Sequence, residues 1–155
     1  MVREKLKKPK NNTLIIIFLI LVLIDQLTKT ILTTPIDLGI IAITPITNTG
    51  MSFGLLQGNN TLLAIISIVF IALIILFRKE FKNKEIQLTM ILAGATGNLI
   101  DRIIHGHVLD FINFKIFPIF NVADTLIVLG ITSIIYLEIK EEIKIKRREK
   151  KINKS

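Results

Sequence analysis

Four long apolar segments constrain this 155-residue chain more than any other feature. They run over about residues 14–32, 62–77, 86–104 and 122–139. Each reaches or approaches the roughly 20 apolar residues that cross a hydrocarbon core of about 30 Å. Because backbone polar groups in lipid must be satisfied within the segment, all four are predicted to be helices despite their many Ile residues. The predicted fold class is an all-α membrane protein with four transmembrane helices.

The positive charge is concentrated at the ends of these segments. Of the 20 Lys and Arg residues, 17 fall in three blocks, at residues 3–10, 78–84 and 140–154. A nucleic acid partner would need such charge on a folded face beside groups that read bases. Blocks at membrane edges are instead typical of cytoplasmic flanks, so no nucleic acid partner is expected.

The same distribution orients the chain. The connections 33–61 and 105–121 together contain one Lys and no Arg. The positive-inside rule therefore places them outside, and the basic tails, about residues 1–12 and 140–155, in the cytoplasm. All seven Glu lie in the cytoplasmic blocks or within two residues of one, whereas all five Asp lie outside or in the outer part of a span. The tail after Glu138 either extends the fourth helix or lies on anionic lipid.

Five polar side chains share one predicted depth near the outer ends of the helices. A helix rises 1.5 Å per residue, so Asp25 lies roughly 16 Å beyond Leu14, past the midplane. The same estimate gives a common outer band that contains Asp25, Asn98, Asp101, Arg102 and Asp124. Such groups are costly inside a membrane and indicate a functional site by default.

Three of these residues on the third segment, and a pair on the first, also have structural interpretations. Asn98, Asp101 and Arg102 are at i, i+3 and i+4 on one helical face, where an ion pair to a neighbouring helix explains Asp101 as well as catalysis does. Asp25 and Lys29 are four residues apart and favour an intramembrane ion pair.

The remaining acids and the two His are ambiguous when taken alone. Asn121 and Asp124 stand at the N-cap and N3 positions of the fourth helix, which favours a capping role. Asp110 lies in an apolar stretch outside the third helix, and neither interpretation is preferred. His105 and His107 are too few and too close in sequence to indicate a metal site, so none is expected.

The connection between the first two helices is predicted to carry a small β structure. Apolar residues alternate over 40–46, which predicts a short strand broken by Pro45. Gly and Asn then supply turns. The segment is either a surface hairpin or an extracytoplasmic β-cradle for substrate over the mouth of the bundle.

Five motifs, in this order, resemble those of the lipoprotein signal peptidase (signal peptidase II) family. They are Asp25-Gln26-Leu27-Thr28-Lys29, Asn48-Thr49-Gly50-Met51-Ser52-Phe53-Gly54, Ala93-Gly94-Ala95-Thr96-Gly97-Asn98-Leu99-Ile100-Asp101-Arg102, Val108-Leu109-Asp110-Phe111 and Phe120-Asn121-Val122-Ala123-Asp124. The likeness extends over about residues 14–139. Ala93 stands where the family usually has Gly, and the 111–123 connection is shorter than in many members.

The resemblance implies an aspartyl endopeptidase that forms one membrane domain over residues 1–155. It implies that Asp110 and Asp124 are the catalytic pair. It assigns residues that line or order the site, namely Asn98, Arg102, Asn121, Asn48 and Gly50. It leaves structural polar roles for Asp25, Lys29 and Asp101.

The same resemblance implies the substrate and the location. Family substrates are diacylglyceryl-modified prolipoproteins, cut N-terminal to the lipidated cysteine, and globomycin blocks the site. No cofactor is implied. The chain is expected to be a monomer in the bacterial cell (inner) membrane, in contact with lipid, with its active site at the outer leaflet.

The available side chains agree with acid–base chemistry. There is no Cys, and no Ser–His pair lies at the outer depth, so water must be activated by carboxylates. Two close carboxylates share a proton, which supplies an acid and a base near neutral pH. A small transporter or proton channel is the alternative, but it needs polar groups through the whole depth. A non-catalytic assembly factor would use the acids as structural pairs.

Overall fold

The computed structural model describes residues 9–50 and 56–152, in which four helices and three strands are formed. The helices are α1 (Asn11–Ile31), α2 (Asn60–Phe77), α3 (Glu85–Ile104) and α4 (Val122–Ile152). The strands are β1 (Ile36–Asp37), β2 (Ala42–Asn48) and β3 (Val108–Asn113). The mainly helical fold is confirmed. Of the predicted features, Met51 to Gly54 and the outer parts of both basic tails lie outside the described residues.

Helix α4 is longer than its apolar segment. It continues through the charged tail to Ile152, so the tail extends the helix. Ile recurs among the Lys, Arg and Glu residues of this part, and most of the charged residues are good helix formers.

Three helices are long and apolar enough to cross a membrane within the described part of the chain: Asn11–Ile31, Asn60–Phe77 and Val122–Arg147. Helix α3 does not meet the same criteria, unlike the expectation of four apolar spans. Its lower apolar content is explained by its position, because α1, α2 and α4 all pack against it. Much of α3 is buried against protein, whereas only 6% of the α2 window is buried. A helix shielded in this way does not need an apolar surface for lipid.

Glycines allow α3 and α4 to pack closely. A Cβ on Gly94 would overlap the carbonyl oxygen of Ala123 and lie 2.8 Å from Cγ1 of Ile127. On the opposing helix, a Cβ on Gly130 would lie 2.5 Å from Cγ1 of Ile91. Small residues at such contacts let the two backbones approach in a membrane, where there is no hydrophobic force between helices.

Strand β2 differs from its prediction. The strand begins at Ala42 and continues through Pro45 to Asn48, so Pro45 does not end it. Proline lacks the N–H group that a ladder needs. The pairing with β3 accommodates this with a register shift between Ile43 and Ile46.

The sheet also contains two strands that were not predicted, β1 and β3. Its order is β1-β2-β3, so the β structure between α1 and α2 is completed by a strand from the α3–α4 connection. Strands β2 and β3 are antiparallel, with Asn48 opposite Val108 and Ile46 opposite Asp110. This pairing brings Asn48 and Asp110 to the same part of the sheet.

The chain returns beside β3 just before α4 begins. Backbone N–H groups of Phe111 and Ile112 donate to the carbonyl oxygen of Phe120, at 3.1 and 2.8 Å. The Phe120 N–H donates back to Ile112 at 3.1 Å. The start of α4 is therefore held against the strand that carries Asp110.

Gly94→Ala is expected to destabilise the protein by about 1–3 kcal/mol, because the added methyl overpacks the α3–α4 contact. Thermal unfolding in detergent measures this as a lower Tm. Ile103→Phe is the control, since it adds volume on α3 at a side chain that is 66% exposed. Equal Tm values for the two variants would show that this contact is not tightly packed.

Candidate active site

Asp110 is buried in strand β3, and its carboxylate accepts hydrogen bonds from two side-chain amide groups. Its side chain accepts a hydrogen bond from Nδ2 of Asn48 at 2.8 Å on Oδ2. It accepts a second from Nδ2 of Asn121 at 2.7 Å on Oδ1. Asn48 is itself oriented by the Gly50 N–H, which donates to its Oδ1 at 2.9 Å. With 2% of its surface exposed, Asp110 is fixed by contacts from β2 and from the start of α4.

Asp124 lies in the first turn of α4 and takes part in the helix cap. Its backbone N–H donates to Oδ1 of Asn121 at 2.9 Å, and the Asn121 N–H donates back to Oδ2 of Asp124 at 3.4 Å. Oδ1 of Asp124 accepts a stronger hydrogen bond from Nδ2 of Asn98 at 2.7 Å. The side chain of Asp124 can therefore both cap the helix and belong to a functional site, because the cap orients its carboxylate toward α3.

Two asparagines connect the carboxylates. Nδ2 of Asn121, which contacts Asp110, also donates to Oδ1 of Asn98 at 3.1 Å. Asn98 in turn donates to Asp124. The resulting chain of hydrogen bonds, Asp110–Asn121–Asn98–Asp124, fixes the two acids relative to each other. Asn121 is fully buried, with 0% exposure.

A buried cluster of charged side chains contacts this series of hydrogen bonds. Nζ of Lys29 lies 2.8 Å from Oδ2 of Asp25 and 2.7 Å from Oδ2 of Asp101, and it donates to Oδ1 of Asn98 at 3.0 Å. The other oxygen of Asp25 accepts the backbone N–H of Ala123 at 2.8 Å. One cation therefore links α1, α3 and α4. Buried charges are tolerated when they are paired in this way.

Gln26 belongs to the same cluster, and sequence reasoning missed it. Its Nε2 lies 3.0 Å from Oδ1 of Asp101, 3.3 Å from the carbonyl oxygen of Gly97 and 3.2 Å from Oδ2 of Asp25, so its two N–H groups are shared among three acceptors. A signal was present, since Gln26 is a polar residue next to Asp25 within an apolar helix. It was missed because helical periodicity places neighbouring residues on different faces.

The two carboxylates open onto one small cavity of about 140 Å³. Its lining consists of Asn48, Gly50, Asn98, Arg102, Val108, Asp110 and Asp124. The predicted residues that do not line it are Asn121, Asp25, Lys29 and Asp101. Val108 was not predicted, and it reaches the cavity because β3 pairs it with Asn48.

Arg102 brings positive charge to this cavity. It lies one turn after Asn98 on α3, and its Nη1 is 3.4 Å from the Asn98 carbonyl oxygen. Its guanidinium interacts electrostatically with Asp124 and Asp110. Among the described residues it has no ion-pair partner within 4.0 Å, since Asp101 pairs with Lys29 instead.

The two histidines lie apart from the cavity. The rings of His105 and His107 are 6.1 Å apart, and neither lines it. The described residues contain no group of three or more His, Cys, Asp or Glu that could hold a metal ion.

Many known proteins are similar in sequence to this chain. The profile of the family described as signal peptidase (SPase) II matches residues 17–140. The chain belongs to the signal peptidase II family. The resemblance seen in the five motifs is confirmed, and the chain is a peptidase. Together with its three apolar helices, membership makes it a multi-pass bacterial membrane protein.

Individual relatives agree with the family profile. A lipoprotein signal peptidase of Halalkalibacterium halodurans is 37% identical, over 86% of this chain and 96% of the relative. One from Staphylococcus aureus is 36% identical, over 94% of this chain and 99% of its own. A solved structure of a bacterial membrane enzyme superposes with a TM-score of 0.78 at 32% identity, over 88% of this chain and 93% of that chain.

Asp110 of this signal peptidase II chain has an unusual affinity for protons. Burial disfavours its charged form and raises the pKa of its carboxyl from 3.8 to about 6. The hydrogen bond from Asn48 lowers the pKa, and the negative charge of Asp124 raises it. Asp37, on the exposed edge of the sheet, shows the opposite effect: its pKa is lowered by the Gly39 N–H and by Lys115.

The pH dependence of stability should report the Asp110 shift. The folded state binds this proton more tightly than the unfolded state, so the contribution of Asp110 to stability is full below pH 3.8 and declines as pH rises to about 6. Asp110→Asn should remove this decline from a plot of Tm against pH, whereas Asp37→Asn should leave it. A wild-type decline that survives in Asp110→Asn would contradict the assignment.

Lys29→Met is expected to destabilise the folded protein by about 3–5 kcal/mol, because Asp25 and Asp101 lose the cation that compensates their buried charge. Chemical or thermal unfolding measures the loss. Lys115→Met is the control, because its ion pair with Asp37 is exposed and should contribute at most about 1 kcal/mol. Addition of Asp25→Asn to Lys29→Met should recover part of the stability; simple additivity of the two losses would argue against a coupled cluster.

Proposed function

We propose that this signal peptidase II chain removes signal peptides from diacylglyceryl-modified prolipoproteins, with Asp110 and Asp124 acting together on water. The observation that carries the proposal is the cavity, onto which both carboxylates open. It contains polar groups for a peptide bond but lies beside helices that are apolar enough to meet lipid. A lipidated peptide needs both surroundings.

The chemistry follows from a shared proton. Two interacting carboxylates lose their protons in separate steps, so near neutral pH one is ionised and its partner is protonated. The ionised carboxylate takes a proton from water as the water oxygen attacks the carbonyl carbon of the scissile bond. The protonated partner donates to the carbonyl oxygen. Collapse of the tetrahedral intermediate then breaks the C–N bond, and the leaving nitrogen receives a proton from the pair.

The neighbouring residues have supporting roles in this proposal. Asn98 and Asn121 keep the carboxylates oriented through the hydrogen bonds that connect them. Arg102 stabilises negative charge that develops on the carbonyl oxygen. Asn48 and the Gly50 backbone, at the edge of the cavity, bind the peptide backbone of the substrate. No cofactor takes part.

The location in the membrane completes the proposal. All four helices cross the bilayer, α3 being shielded by the other three, and the whole chain acts as one monomeric peptidase domain. Both termini are cytoplasmic, so the sheet and the cavity lie at the outer leaflet. The diacylglyceryl chains of the substrate remain in lipid while the peptide before the modified cysteine enters the cavity.

Asp110→Asn and Asp124→Asn should each slow cleavage of a lipidated precursor by at least about 10²-fold, the lower end of the range for acid–base groups. The double variant should be little slower than either single variant, because the pair acts as a unit. The measurement is release of signal peptide by purified protein, with thermal unfolding as the check on folding.

Asp37→Asn is the matched control for this assay. It removes an exposed carboxylate of the same sheet, 70% accessible, and should cleave at the wild-type rate. Normal cleavage by a folded Asp110→Asn or Asp124→Asn variant would refute the proposed pair. Full loss of cleavage in Asp37→Asn would show that the assay responds to general damage.

A further inference from the structure

A second, larger cavity lies at the opposite end of the helices from the two carboxylates. Its volume is about 720 Å³, within the roughly 300–1,000 Å³ typical of ligand pockets. It is formed by the first turns of α1, the first turns of α3 and the short α2–α3 connection. None of the residues proposed to act in peptide cleavage lines it.

The cavity exists because of how the helices pack. Helices α1 and α2 both pack against α3, but in the described part of the chain no Cα atom of α1 lies within 8 Å of a Cα atom of α2. A groove is left on the surface of α3 beside α1, next to the α2–α3 connection. Since α1 is an apolar helix of membrane-spanning length, the groove is bordered by a surface suited to lipid.

The walls of the groove are mainly apolar, although Asn11 and Thr89 also line it. Leu14 and Phe18 of α1 face Leu88 and Leu92 of α3, and Ile15 stands at the side with 57% of its surface exposed. These side chains offer no hydrogen-bonding groups. A small soluble anion would gain nothing from them, whereas an acyl chain would bury its surface there.

The rim is basic. Arg78, Lys79 and Lys82 line the cavity from the α2–α3 connection, and the side chains of all three are exposed. None of the three makes an ion pair or side-chain hydrogen bond with another described residue. Lys84, in the same connection, differs because it is buried and paired with Glu138. Glu85 is the single acidic residue of the lining, so the rim has an excess of positive charge.

We propose that this groove binds one anionic phospholipid, with its phosphate on Arg78, Lys79 and Lys82 and an acyl chain between α1 and α3. The two halves of the lining match the two halves of such a molecule. Basic residues next to a span attract anionic headgroups, and the apolar walls give the chain a place beside α3. The bound lipid fills the groove between α1 and α3, and it stabilises the end of the bundle that the Lys29 ion cluster does not reach.

The first test measures lipid binding by the purified full chain. Native mass spectrometry with phosphatidylglycerol and with phosphatidylcholine should show preferential retention of phosphatidylglycerol. The triple variant Arg78→Gln, Lys79→Gln, Lys82→Gln should weaken that binding by roughly 10- to 100-fold. The matched control is Lys140→Gln, Lys144→Gln, Arg147→Gln, which removes the same charges from the exposed end of α4 and should retain binding. Equal weakening in both variants would mean non-specific attraction and would overturn the proposal.

The second test leaves the charge unchanged. Ile15→Trp fills the groove from its side and should displace phosphatidylglycerol, whereas Leu19→Trp, one turn further along the same helix and 58% exposed, should not. Equal retention of phosphatidylcholine by the wild type, or a dimer whose mass replaces the lipid-bound monomer, would also overturn the proposal.

Lipid binding in the groove does not depend on peptide cleavage. Asp110→Asn should retain the lipid, so failure of the lipid proposal and failure of the proposed function give different patterns.

Discussion

The buried ammonium group of Lys29 is the interaction on which the rest of the structure depends. It lies between carboxylates of α1 and α3 and also contacts Asn98. Because Asp25 holds the first turn of α4 through the Ala123 N–H, the same cluster positions three helices. In a membrane, helices gain little by hydrophobic association, so paired charges and close small-residue contacts must provide the specificity.

The amide side chains transmit this order to the two acids. Asn98 receives a hydrogen bond from Lys29 and donates one to Asp124, so its orientation is decided by the ion cluster. Asn121 caps α4 and at the same time donates to Asp110. Asn121, at the start of the helix, therefore also holds the carboxylate of Asp110. Asn121 and Asp124 therefore have a structural role and a proposed functional role at the same time, since the proposed chemistry depends on the cap.

The sequence predicted the helical part of the site because helix geometry is regular. A rise of 1.5 Å per residue is enough to place Asp25, Asn98 and Asp124 at one depth. It was not enough for Asp110, whose position depends on pairing between Asn48 and Val108, 60 residues apart. Such pairing is set by tertiary contacts and leaves little local signal. Pro45 was wrongly expected to end its strand, because a register shift that tolerates proline cannot be read from alternation alone.

Helix α3 explains why the two ends of the bundle differ. It is the helix against which all others pack, so its composition is suited to protein contacts and not to lipid. Toward its C-terminal end it presents Asn98, Asp101 and Arg102 to charged and polar partners. Toward its N-terminal end it presents Leu88 and Leu92 to a groove that the other helices do not fill. A lipid in that groove would add packing that keeps α1 in place. The added stability would offset the cost of burying acids at the opposite, polar end of the bundle.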